Sequence, residues 1–182
     1  CVGLALCLNG LAEAQTAVPA TWKAQWINTE RCQSATNTWL IYRKQAELTS
    51  VPKQVIARIA ADTKYWLWIN DQLVVFEGGL KRGPSPTDTY YDTVDIAPYL
   101  KVGENTIAVQ LWHFGRDGFS HVNSGKAVLL FEAVAPGVEI LSDGSWQCAW
   151  YEAYQDTEAP YPNYRLPESN IRFDARLAIE GW

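Results

Sequence analysis

AADTKYWLWINDQLVVFEGG (residues 60–79), followed after a loop by YYDTVDIAPYLKVGENTIAVQL (residues 90–111), decides the fold of this chain. In the first run Tyr65, Leu67 and Ile69 alternate with Trp66 and Trp68, so a strand places the two sets on opposite faces. Asn70-Asp71 is a two-residue hairpin turn of the kind Asn and Asp favour, and residues 73–77 return as a second strand. In the second run the Asp95 carboxylate is placed to N-cap a single turn over residues 96–100. Gly103 then turns the chain into a strand over residues 105–114. There Ile107, Val109 and Leu111 face one way, and Gln110 and Trp112 the other. A sheet that is apolar on both faces has to be covered twice, by its own core and by something else.

Working outward, residues 38–48 read as a strand rich in β-branched and aromatic side chains. Residues 55–62 alternate Val55, Ala57, Ile59 and Ala61 against Ile56, Arg58, Ala60 and Asp62. Further strands are expected at 89–93, 126–134, 138–142, 146–152 and 171–179. Between them lie Gly- and Pro-bearing loops at 78–88, 114–125 and 156–167. About nine or ten short strands, with turns roughly every 8–12 residues, describe an all-β antiparallel sandwich or jelly roll.

At 48% hydrophobic and 19% charged, the chain is globular in composition. A net charge of −5 without a Lys/Arg stripe argues against a nucleic-acid partner. The first residue is Cys1 and no Met occurs, so the chain reads as a fragment. Residues 1–11 are short and apolar, and Ala12-Glu13-Ala14 follows as a cleavage site. Residues 1–14 are therefore read as the remnant of a signal peptide, 15–21 as a linker and 22–182 as the sandwich, truncated at its C-terminal end. The apolar stretch is too short to span a bilayer, and no membrane partner is expected. The resulting expectation is a secreted or periplasmic bacterial protein. Beyond the cut remain Cys32 and Cys148, candidates for a disulfide in an oxidising compartment.

Hydrolytic and phosphate-binding motifs are missing from the sequence. The two histidines, His113 and His121, flank Asp117 in a spacing that matches no metal-ligand motif, and they read as solvent-edge loop residues. Neither a metal nor a cofactor is expected. Asp92 with Asp95, and Glu152 with Asp156, are carboxylate pairs of the type glycoside hydrolysis uses, but nothing sets them apart from turn residues. The run WHFGRDGFSH (residues 112–121) gathers aromatic planes and polar groups at one strand end. Trp112, His113, Arg116, Asp117, Phe119 and His121, with Trp66 and Trp68, are the candidates for carbohydrate binding or for docking to a neighbouring domain.

The motif Trp68-Ile69-Asn70-Asp71, then Asp95-Ile96, then Leu100–Ile107 with its Gly103 and Asn105, resembles the galactose-binding-like jelly-roll ancillary domains of large glycoside hydrolases. TWLIYRKQAEL (Thr38–Leu48), IAADTKYWLWIN (residues 59–70) and NYRLPESNIRFDARLAIEGW (residues 163–182) look like the N-terminal domain of bacterial α-L-rhamnosidases. Asp174-Ala175-Arg176 followed by Gly181-Trp182 is the sharpest of these matches. This chain has Asn-Asp where the family hairpin usually has Asn-Gly. The resemblance implies a non-catalytic β-sandwich whose partner is a downstream (α/α)6 barrel of the same polypeptide, which carries out the hydrolysis. The alternative is an autonomous lectin-like module that binds rhamnose-containing oligosaccharide.

Overall fold

The alternation in residues 64–69 builds one strand of a two-sheet sandwich in the computed structural model, which describes residues 21–29, 36–80, 89–118, 122–157 and 170–182. One sheet has five strands in the order β4 (Gln72–Gly79), β3 (Lys64–Ile69), β6 (Gly103–His113), β1 (Thr38–Leu48) and β9 (Gln147–Trp150). The other has four, in the order β5 (Asp92–Asp95), β2 (Ile56–Ala61), β7 (Leu129–Ala135) and β8 (Val138–Leu141). A third, two-stranded ribbon pairs β10 (Tyr154–Asp156) with β11 (Ile171–Phe173). Every pairing is antiparallel. The fold class expected from the sequence, an all-β antiparallel sandwich, is the observed one.

Strand alternation explains the core. Leu40 and Tyr42 of β1, Ala57 and Ile59 of β2, Tyr65, Leu67 and Ile69 of β3, Ile107, Val109 and Leu111 of β6, and Leu129 and Phe131 of β7 fill the space between the sheets. Trp66 and Trp68 lie on the opposite face of β3, as expected. Leu67→Ala is expected to cost about 2–5 kcal/mol, because its side chain is fully buried between the sheets and its removal leaves a cavity. Chemical denaturation reads this directly, and an unchanged midpoint would mean that the faces of β3 are reversed.

The turns follow from local chemistry. Asn70 and Asp71 have φ of 49° and 65°, the left-handed pair that a two-residue hairpin requires. The glycines that end β4 have separate jobs. A Cβ on Gly78 would sit 2.3 Å from the Tyr65 ring. Gly79 has φ of +86°, and a Cβ there would meet the Thr63 carbonyl oxygen at 2.5 Å.

Three local expectations are corrected. Asp95 accepts from the backbone N–H of Ala97 at 3.1 Å, but the N-cap position of the short 3-10 turn Ala97–Tyr99 is Ile96. Asp95 also accepts from Val55 N–H at 3.0 Å, and so ties the turn to the start of β2. Residues 171–179 are not one extended segment. β11 stops at Phe173 because the Asp174 carboxylate accepts from Arg176 N–H and caps a second 3-10 turn, Ala175–Leu177. Trp146 is not part of β9. Its ring packs into the core, and its indole N–H donates to the Leu141 carbonyl at 2.8 Å.

Candidate functional site

The second covering demanded by the two-faced sheet is a separate aromatic layer. The outward residues of the five-stranded sheet run in rows set by the register. Trp66, Gln110 and Ile41 share one row, Trp68, Ala108 and Arg43 the next, and Lys64, Trp112 and Trp39 a third. Trp39 is the hub of the layer. Its ring stacks on Trp112 at 4.7 Å, Tyr154 at 4.1 Å and Trp66 at 5.4 Å. Tyr151 and Ala153, with Tyr154 and Ile171 of the small ribbon, close a second apolar core over Trp39, Ile41, Trp112 and Phe114. Most of this face is therefore internal.

That layer redraws the binding candidates. Trp112 does alternate away from Ile107, Val109 and Leu111, but it is 1% exposed, and its indole N–H donates to Asn37 Oδ1 at 2.7 Å. It is an interior residue, not a projecting platform. His113 is likewise buried, which corrects its reading as a solvent-edge loop residue. It ends β6, and its Nδ1 lies 3.1 Å from the Asp62 carbonyl and 3.5 Å from the Asp62 carboxylate. Burial raises the pKa of Asp62. The hydrogen bonds from His113, Ser124 N–H and Thr63 Oγ1 outweigh that and hold the carboxyl well below the usual range. This cluster fastens the end of β2 to the chain after β6. Arg116 is half-exposed, and Asp117 is exposed and accepts from Asn123 N–H at 2.8 Å. Phe119 and His121 lie outside the described residues. Cys32 does too, so the Cys32–Cys148 pairing falls outside them as well.

Three of the four carboxylates read as pairs, Asp92, Asp95 and Asp156, have structural roles, and Glu152 is exposed. Asp92 accepts from the Tyr65 hydroxyl at 3.1 Å and from Gly79 N–H at 2.8 Å. Asp156 accepts from Asn37 Nδ2 at 2.8 Å. On the outer face of the four-stranded sheet Arg58 and Glu132 stand directly opposite each other and form a buried ion pair. Trp22 lies over the guanidinium at 4.1 Å, and Glu132 accepts the N–H groups of Lys23 and Ala24. Among the described residues no group of three His, Cys, Asp or Glu is placed to hold a metal ion.

The motif residues explain themselves in the same way. Asn70 donates to Asn105 Oδ1 and to the Tyr99 carbonyl, both at 2.9 Å, and its own Oδ1 accepts from Thr106 N–H. Asn105 is fully buried and closes the Lys101–Gly103 turn from inside. The two asparagines thus lock hairpin and turn together. Asp174 and Arg176 form a surface ion pair that holds the Asp174 carboxyl at a pKa of about 2, the hydrogen bonds from Arg176 being the main cause.

Among the described residues, part of the outward face is open. Trp182 approaches Trp68 edge-on at 5.6 Å. Beside it a cleft of about 330 Å³ is lined by Trp68, Asp71, Thr106, Gln110 and Trp182. A second cleft of about 180 Å³, lined by Ile41, Arg43, Gln147 and Trp182, borders the same indole. Trp68 is the one sequence candidate found here. Alternation had already placed Gln110 on this face, but Arg43 and Trp182 gave no local signal, because only the return of the chain over the sheet brings them together.

No family model matches the chain, and no curated protein does. Among solved structures, the GH78 family rhamnosidase of Bacillus sp. GL1 is 30% identical, covers 74% of this chain and 14% of its own, and superposes with a TM-score of 0.64. The α-L-rhamnosidase of Aspergillus terreus (24% identity, 88% of this chain and 19% of its own, TM-score 0.65) shares the fold. So does that of Dictyoglomus thermophilum (19% identity, 88% and 19%, TM-score 0.62). The chain spans less than a fifth of the length of each. The resemblance to an α-L-rhamnosidase domain, drawn from sequence motifs, is borne out by the match to the GH78 rhamnosidase.

Proposed function

We propose that this chain is the non-catalytic N-terminal β-sandwich of a secreted or periplasmic α-L-rhamnosidase-like glycoside hydrolase. Its role is to pack against and support a catalytic (α/α)6 barrel carried elsewhere in the parent polypeptide. The observation that carries this reading is the 30% identity over 74% of the chain to a segment that makes up 14% of a GH78 rhamnosidase. Four buried or half-buried carboxylates support it. Asp62, Asp92, Asp95 and Glu132 are each engaged in fastening strands or turns. A glycosidase needs two carboxyl groups free to face a sugar, one as acid and one as base or nucleophile. Three exposed apolar residues on the last described segment, Phe173, Leu177 and Ile179, are candidates for a docking surface.

The 182-residue chain is expected to release no aryl group from an aryl α-L-rhamnoside. Turnover that persists through purification, and disappears when one carboxylate of this chain is changed to its amide, would refute the reading. In the parent enzyme, Leu177→Ser is expected to lower the unfolding temperature of the catalytic region while leaving that of the isolated sandwich in place. Cutting an apolar side chain out of an interface destabilises both partners only when they are joined.

A further inference from the structure

We infer that the clefts on either side of Trp182 form a saccharide-binding site on the outer face of the five-stranded sheet, sized for one or two pyranose rings. A pyranose has two unlike surfaces, an apolar C–H face and a rim of hydroxyls. A site for it needs an aromatic plane beside donors and acceptors that have no other partner. The π-face of an indole is negative and suits the weakly positive C–H face. Trp68 and Trp182 meet edge to face, so their planes wall the larger cleft at a steep angle. Its volume of about 330 Å³ lies at the small end of ordinary ligand sites, which run from about 300 to 1,000 Å³.

The polar groups carry the argument. Gln110 is 7% exposed and lines the larger cleft, yet its side-chain amide makes no hydrogen bond among the described residues. The amide is reachable from the cleft, so its donors and its acceptor are offered to whatever enters. On the other side of Trp182, the half-buried Arg43 lines the smaller cleft with its cationic side chain. Two neighbouring strands thus bring an amide without a protein partner and a guanidinium to clefts that share one indole wall. Thr106 and the exposed Asp71 add a hydroxyl and a carboxylate at the rim. Hydroxyls, which both donate and accept, match this mixed set. A phosphate would face one cation and a carboxylate. A lipid chain would strand the amide and the guanidinium.

The site does not depend on the ancillary role proposed above, since it uses the sheet face and not the Phe173–Ile179 segment. The test is a calorimetric and NMR titration of the 182-residue chain with L-rhamnose, D-galactose and D-glucose, each also as its methyl glycoside. Weak, saturable binding of at least one of these is expected. Trp68→Ala and Gln110→Leu should each weaken it by about tenfold or more, as loss of an aromatic anchor or of a buried hydrogen bond does. Trp26→Ala, an exposed tryptophan beside the segment that pairs with the other sheet, should leave it unchanged. Gln110→Leu removes the amide and leaves an apolar side chain of similar bulk on the sheet face, so it reports on the site even if Trp68→Ala unfolds the domain. Flat titrations with all six sugars would overturn the inference. So would saturable binding that survives Gln110→Leu, or binding that Trp26→Ala removes. None of these outcomes bears on the absence of rhamnoside turnover, so the two readings fail separately.

Discussion

Glu132→Ala is expected to destabilise the fold by about 3–5 kcal/mol, because it breaks the buried ion pair with the Arg58 guanidinium. The same change strips the acceptor from Lys23 and Ala24 N–H, so residues 21–27 should loosen from the four-stranded sheet along with it. Urea denaturation measures the first effect, and hydrogen exchange at Lys23 and Ala24 the second. A loss near zero would mean that water reaches the pair. The double change Arg58→Met with Glu132→Leu should recover most of the stability, since a buried pair replaced by apolar groups of similar volume is often neutral or better. The pH dependence has a definite sign. Burial raises the Glu132 pKa, but the hydrogen bonds from Arg58, Ala24 and Lys23 outweigh it and hold the carboxyl below its ordinary value. A depressed carboxyl binds fewer protons folded than unfolded. Its contribution is therefore complete above the ordinary glutamate range and is lost as pH falls below about 4. Asp62 adds to the loss in the same direction.

Trp112→Ala is expected to cost about 3–5 kcal/mol and to release the small ribbon from the sheet. Trp112 is the largest fully buried side chain among the described residues, stacked on Trp39 and edge-on to Phe114. Removing it empties the centre of the second core and orphans the Asn37 carbonyl oxygen. Thermal unfolding followed by circular dichroism gives the stability change, and near-ultraviolet bands report the broken Trp39–Trp112 stack. A variant as stable as the parent chain would put Trp112 back among the surface candidates.

What was legible in the sequence was local. The period-two alternation in β3 and β6 separates Leu67 from Trp68, and Leu111 from Trp112, whatever the rest of the chain does. The Asn70-Asp71 hairpin follows from two residues that tolerate positive φ. Asp174-Ala175-Arg176, the sharpest motif match, is a capped surface turn, so its recognisability reflects local geometry. The short ribbon strands β10 and β11, three residues each, carry too little pattern to be seen.

The sequence by itself therefore determined the sandwich, the faces of its strands and the need for a second covering. Only the tertiary structure decided which outward aromatics are covered and which stay open. Trp112 and Trp68 are equivalent by alternation, and both point away from the main core. Residues 151–154 fold back over the first, whereas Trp182 only flanks the second and leaves clefts beside it. Alternation is a property of one backbone and acts over two residues. Burial depends on which distant segment returns, here more than thirty-five residues along the chain from Trp112, and no local pattern encodes that distance.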